Sequence, residues 1–176
     1  MTRAELEHAI RAACDVAGDT EAYVFGSQAI LSQFPNAPPE LRQSAEADIA
    51  PKNHPERADE IDAMLGELST FHSTHGFCVH GLSIETAILP SGWEARALVI
   101  QNENTRENRG ICVEAHDLAA SKLVAFREKD RTFVRTLLIE QMIDSERLSE
   151  VIRALPVPVA DRERLVSWVE LTERER

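Results

Sequence analysis

Apolar residues recur one turn apart at Leu6, Ile10, Ala13 and Ala17, the spacing of one helical face, and Gly18-Asp19 supplies a stop. The pattern predicts an amphipathic helix over 2–16. Ala22 to Phe25 then reads as a short buried strand that runs into Gly26-Ser27, and Gln28 to Phe34 looks helical until Pro35-Asn36-Ala37-Pro38-Pro39 breaks it. A second strand is predicted over Ala45 to Ala50, closed by Pro51. Helical spacing returns from Arg57 to Leu68 through Ile61, Leu65 and Leu68. Phe77 to Ile84, Arg96 to Ile100 and Ile111 to Val113 are further strand candidates, and the polar run Gln101 to Gly110 between the last two reads as a loop.

From Asp117 onward the pattern becomes helical. Asp117 is the expected N-cap, Leu118 to Glu128 and Phe133 to Ile139 are apolar-periodic, and Asp144 or Ser145 starts a helix that ends before Pro156. Asp161 is expected to cap a terminal helix docked through Leu165, Trp168 and Val169. Strands first and helices last predict an α/β (α+β) domain, a mixed sheet flanked by helices with a helical C-terminal part. One domain is expected over 1–176, with the sheet in 1–115 and the helical part in 116–176.

Composition narrows the function. With 176 residues, 43% of them hydrophobic, the chain suffices for one substantial core. A net charge of −11 excludes a protein that holds nucleic acid through a broad basic surface, so any polynucleotide must be engaged locally. Cys14, Cys78 and Cys112 are odd in number and widely separated, with no signal-like start and no long apolar span. A reducing, cytoplasmic setting without membrane association is expected.

The candidate chemistry begins with Glu46 and Asp48. On one strand, residues two apart share a face, so two carboxylates point the same way from a segment otherwise made of Ala45, Ala47, Ile49 and Ala50. Like charges side by side raise each other's proton affinity unless a cation lies between them. A hard divalent ion shared with substrate phosphates relieves that repulsion; an acidic edge strand that discourages aggregation is the plainer alternative. Gly26-Ser27, at a strand-to-helix turn, presents backbone N–H groups and a hydroxyl suited to a phosphate oxygen. Lys122 sits among Leu118, Ala119, Ala120, Leu123 and Val124, an apolar setting for an ammonium unless its head reaches an anion. On a continuous helix Lys129 shares its face, while Arg127 and Asp130 point to other sectors.

Gly26-Ser27, Glu46-Ala47-Asp48-Ile49 and His116 to Lys122 with Arg127-Glu128-Lys129-Asp130 together resemble the nucleotidyltransferase-fold superfamily. Within it, the chain looks like the abortive-infection (AbiEii-type) toxin-like nucleotidyltransferases and their small bacterial relatives, over about Tyr23 to Leu138. The resemblance implies that Gly26 and Ser27 cradle the triphosphate of an NTP and that Glu46 and Asp48 bind Mg²⁺ or Mn²⁺. It implies that Lys122, with Arg127 and Lys129, contacts phosphate, and that Asp130 orients Lys122 or Arg127. The Ser27 to Glu46 interval is longer than the family pattern, Glu46 stands where Asp is usual, and Asp62, Glu67, Glu85 and Glu94 are all open as a third carboxylate.

The expected activity is transfer of an NMP from an NTP onto a hydroxyl of tRNA, another RNA or a protein. The resemblance implies the toxin of a toxin–antitoxin or phage-defence system as the setting, with an antitoxin partner; the alternative is an inactive module that binds a nucleotide or a protein. A local basic rim would draw on Arg106, Arg109, Lys122, Arg127, Lys129 and Arg131. His72 is the expected cleft histidine, as phosphate contact or general base. A zinc site from His72, His75, Cys78 and His80 is disfavoured by the loop composition of Phe71 to Gly76 and by spacing, cysteine catalysis by the lack of an electropositive thiol context, and Trp93 and Trp168 read as packing.

Overall fold

The Thr2 hydroxyl accepts from Glu5 N and the Glu5 carboxylate accepts from Thr2 N, a capping box that starts helix α1 (Arg3–Ala17). Gly18 ends it in the left-handed region. The computed structural model describes residues 1–175. In them, strands β1 (Glu21–Phe25), β2 (Glu46–Pro51), β3 (Cys78–Gly81), β4 (Leu98–Ile100) and β5 (Arg109–Cys112) form one sheet in the order β3-β2-β1-β5-β4. The sheet is mixed: β1 runs antiparallel to β2 and parallel to β5, β2 parallel to β3, and β4 antiparallel to β5.

Register settles what each face carries. Phe25 lies opposite Asp48, and Asp48 opposite His80, so these side chains and Glu46 project from one face. The other face presents Val24, Ala47, Ile49 and Val79, each fully buried, toward α1 and α2 (Ala58–Leu65). Gly81 lets α2 come that close: a Cβ there would meet Ala58 O at 2.1 Å and Asp62 N at 2.7 Å. Helices α3 (Thr70–His75) and α4 (Trp93–Arg96) are short connectors.

The C-terminal part comprises α5 (Ala115–Ala125), α6 (Glu128–Ile139), α7 (Ser145–Arg153) and α8 (Val159–Arg174). His116 ties α5 to the start of α7. Its Nε2 accepts from Asp144 N at 3.0 Å, so Nδ1 carries the proton and donates to Glu114 Oε1 at 2.8 Å.

Several predicted boundaries move, each for a local reason. The helix expected over 118–128 stops at Ala125, because Phe126 turns left-handed (φ 51°) and Arg127 becomes the N-cap of α6. Phe126 is held there edge-on to Trp168, with Arg131 and Arg164 stacked over its ring. Asp117 is no cap: Glu114 takes that role by accepting from His116 N, and Asp117 is buried against the Arg96 guanidinium at 2.7 and 2.9 Å. Arg96 belongs to α4 instead of a strand. The segment after Gly26 winds as a 3₁₀ helix over Ser27–Ser32, β3 stops at Gly81, and α3 forms where a loop reading was expected. Pairing with β1 draws Arg109 and Gly110 out of the polar loop into β5, where Arg109 also meets Glu21 at 2.7 Å. Trp93 and Trp168 pack against Tyr23 and Phe126 as expected.

Candidate active site

β1 delivers the chain into Gly26 at φ 71°, ψ −172°, a conformation reserved for glycine. Sterics demand the same residue. A Cβ at Gly26 would lie 1.9 Å from Asp48 Oδ2 and 2.8 Å from its Cγ, so the carboxylate occupies the space the missing side chain leaves. Ser27 follows at the start of the 3₁₀ helix and lines a cavity of ≈ 630 Å³. The size suits a nucleotide-scale ligand.

Glu46, Asp48 and His80 each offer a ligand atom, all within 4.8 Å of one another. His80 Nδ1 is 3.4 Å from Asp48 Oδ1 and 3.7 Å from Glu46 Oε1, and His80 Nε2 is 3.8 Å from Asp62 Oδ1. Burial and then the neighbouring Glu46 charge push the Asp48 carboxyl above its ordinary range, against the pull of His80 and Lys122. Asp48 is thus a carboxylate whose ionised form calls for more positive charge than the chain provides.

Lys122 faces Asp48 from α5. Its side chain is 14% exposed, its Nζ lies 3.7 Å from Asp130 Oδ1 and sits over the Phe133 ring at 4.7 Å. Burial lowers its proton affinity, while Asp130 and then Asp48 raise it. Asp130, 1% exposed, also accepts from Arg127 Nε at 2.6 Å. A continuous helix would hold Asp130 and Lys122 on different sectors; the break at Phe126 folds them onto two helices that face each other. Lys129, on α6, lines the same cavity with Lys122 and Arg127, so these cations do share a cleft, by a different route from the predicted seven-residue spacing. Glu40, Leu41, Gln43 and Ser44 complete one wall, so the long Ser27 to Glu46 interval becomes part of the cleft.

His72 lies elsewhere. On α3, its Nδ1 accepts from Leu68 N at 3.2 Å, whereas the histidine beside the acid pair is His80. The sequence puts His80 inside a predicted strand, and only the parallel pairing of β3 with β2 places it opposite Asp48. His75 packs against His8 and Phe71 in an aromatic cluster, so the disfavoured zinc grouping does not assemble. Of the open acids, Asp62 backs His80 and Glu94 accepts from the Tyr23 hydroxyl. Arg106 pairs with Asp15, Arg109 with Glu21, and Arg131 covers Phe126, so the expected basic rim reduces to Lys122, Arg127 and Lys129. Burial pushes the Cys14 and Cys112 thiols up to about 12, which makes both poor nucleophiles.

The donor set fits a divalent cation. Two carboxylates and an imidazole converge, among the described residues no arginine or lysine stands within ion-pair distance of either carboxylate, and burial with the Glu46 charge outweighs the pull of His80 and Lys122 on Asp48. Among the described residues, no helix is long and apolar enough to cross a membrane. No curated protein and no solved structure matches the chain at a significant level. A family model spanning nearly all of the fold does match, and residues 4–174 place this chain in the family described as "Nucleotidyltransferase of unknown function (DUF6036)".

Proposed function

We propose that the chain is a metal-dependent nucleotidyltransferase that moves an NMP from an NTP to an acceptor hydroxyl on tRNA, another RNA or a protein. The observation that carries this reading is the convergence of Glu46 and Asp48 beneath Gly26-Ser27, with Lys122 opposite, around one polar cavity. In the reaction the acceptor oxygen bonds to the α-phosphorus, the bond from that phosphorus to the β-bridging oxygen breaks, and pyrophosphate leaves as the acceptor hydroxyl loses its proton. Mg²⁺ or Mn²⁺ at Glu46 and Asp48 supplies charge neutralisation for the phosphates. Ser27 offers its hydroxyl and the turn's N–H groups to a phosphate oxygen. Lys122, partly dehydrated and fixed by Asp130, provides a preorganised positive charge, and Arg127 and Lys129 add exposed ones. A toxin of the AbiEii type, held in check by an antitoxin, is the setting we favour, because the ordered motifs resemble that group.

A second reading is supported by His80. Protonated, its imidazole would bridge Asp48 and Glu46 without a metal, as suits a module that binds a nucleotide or a protein and turns nothing over. Labelled-NTP transfer to total RNA and to protein, beside calorimetry with each NTP and Mg²⁺, separates the readings. A labelled product lost in Asp48→Ala, with the fold intact by circular dichroism, supports the enzyme; tight NTP binding with no product supports the module.

A further inference from the structure

His80 stands on β3, directly opposite Asp48 in the parallel pairing, and turns Nδ1 toward both carboxylates. We infer that His80 is a ligand of the bound cation, so the site is a mixed oxygen and nitrogen set that prefers a transition-series dication to Mg²⁺. The inference rests on the metal-dependent reading above and specifies the metal that reading leaves open.

Two features of this chain support it. First, a metal-bound imidazole ordinarily gives its other ring N–H to a carboxylate, which fixes the tautomer and the ring plane. Here the other nitrogen, Nε2, faces Asp62 Oδ1 at 3.8 Å, longer than a hydrogen bond but on the side where a metal-bound imidazole would present its N–H, while Nδ1 is the nitrogen turned to Asp48 and Glu46. Second, that carboxylate is brought there by the fold. Gly81 follows His80, and only a residue without Cβ lets the α2 backbone, Asp62 N included, approach so closely. Asp62 is a positioning residue in this arrangement.

The donor chemistry then sets the preference. Mg²⁺ favours all-oxygen octahedra and parts reluctantly with its waters, whereas affinity for an imidazole nitrogen rises along the transition series. Mn²⁺ accepts both donor types, which makes it the appropriate probe.

The test is Mn²⁺ binding to the whole protein, followed by electron paramagnetic resonance with Mg²⁺ as competitor. The expected result is one saturable Mn²⁺ site, lost in Asp48→Asn, with a ¹⁴N coupling from a bound imidazole. In His80→Asp the coupling disappears and the preference for Mn²⁺ over Mg²⁺ falls about tenfold or more, while Asp62→Asn weakens Mn²⁺ binding about 10-fold to 100-fold. Mn²⁺ bound through Asp48 with no ¹⁴N coupling in the wild type and an unchanged preference in His80→Asp overturns the inference and leaves the metal-dependent reading standing. The absence of any saturable Mn²⁺ site overturns both. Because the coupling is read in the wild-type protein, poor folding of a variant does not blunt the test.

Discussion

Asp48 Oδ2 fills the space that a side chain at Gly26 would claim, 1.9 Å from where that Cβ would stand. Turn and carboxylate are therefore one device. Gly26→Ala adds backbone strain at a positive φ and displaces the Asp48 carboxylate together. The expected cost is about 1–3 kcal/mol in urea unfolding, with loss of saturable Mn²⁺ binding. A variant that unfolds like the wild type and keeps its metal would show that the carboxylate and the turn are independent.

The strain on Asp48 is electrostatic as well. Its folded proton affinity is raised by burial and by Glu46, so the native state holds more protons than the unfolded chain once pH passes the unfolded value of about 4. Stability is then lost as pH rises through the folded pKa. Metal-free Asp48→Asn should avoid this loss and melt higher than the wild type at neutral pH, by about 2–4 °C if the relief is worth roughly 1 kcal/mol. Melting curves from acid to neutral pH check the sign, and added Mn²⁺ should raise the melting temperature of the wild type only.

Lys122 and Asp130 are expected to respond differently. Lys122→Met leaves Asp130 its bond to Arg127, so stability should change by less than about 1 kcal/mol while NTP affinity falls about tenfold. Asp130→Ala strands the dehydrated ammonium and should cost about 3–5 kcal/mol. Denaturant titration beside NTP calorimetry distinguishes a phosphate contact from its support.

Arg96 provides a control away from the cleft. It donates two hydrogen bonds to the fully buried Asp117, so Arg96→Ala leaves an unpaired interior charge and should destabilise by about 3–5 kcal/mol. Mn²⁺ affinity of the folded fraction should stay at the wild-type value.

The acid pair, the glycine turn and the embedded lysine were legible in the sequence because each depends on local spacing: alternation on a strand, a breaker after an apolar run, a charge in a helical stripe. The same local rules placed β1 and β2 within a residue or so. What escaped was set at long range. His80 gains its place from a pairing between strands thirty or so residues apart, and Asp117 from the arrival of Arg96. The corner at Phe126 depends on Trp168, Arg131 and Arg164 stacking on a ring whose own neighbours in sequence favour a continuing helix. In the sequence nothing separates His72 from His80 as the cleft histidine until the sheet order is known.

Asp130 is served by two cations of contrasting character, the enclosed Lys122 and the largely exposed Arg127. An incoming anion can draw off the exposed partner while the enclosed one stays. The carboxylate is then never abandoned in the interior at either stage, and the wall of the cleft keeps its shape as its outer charge changes allegiance.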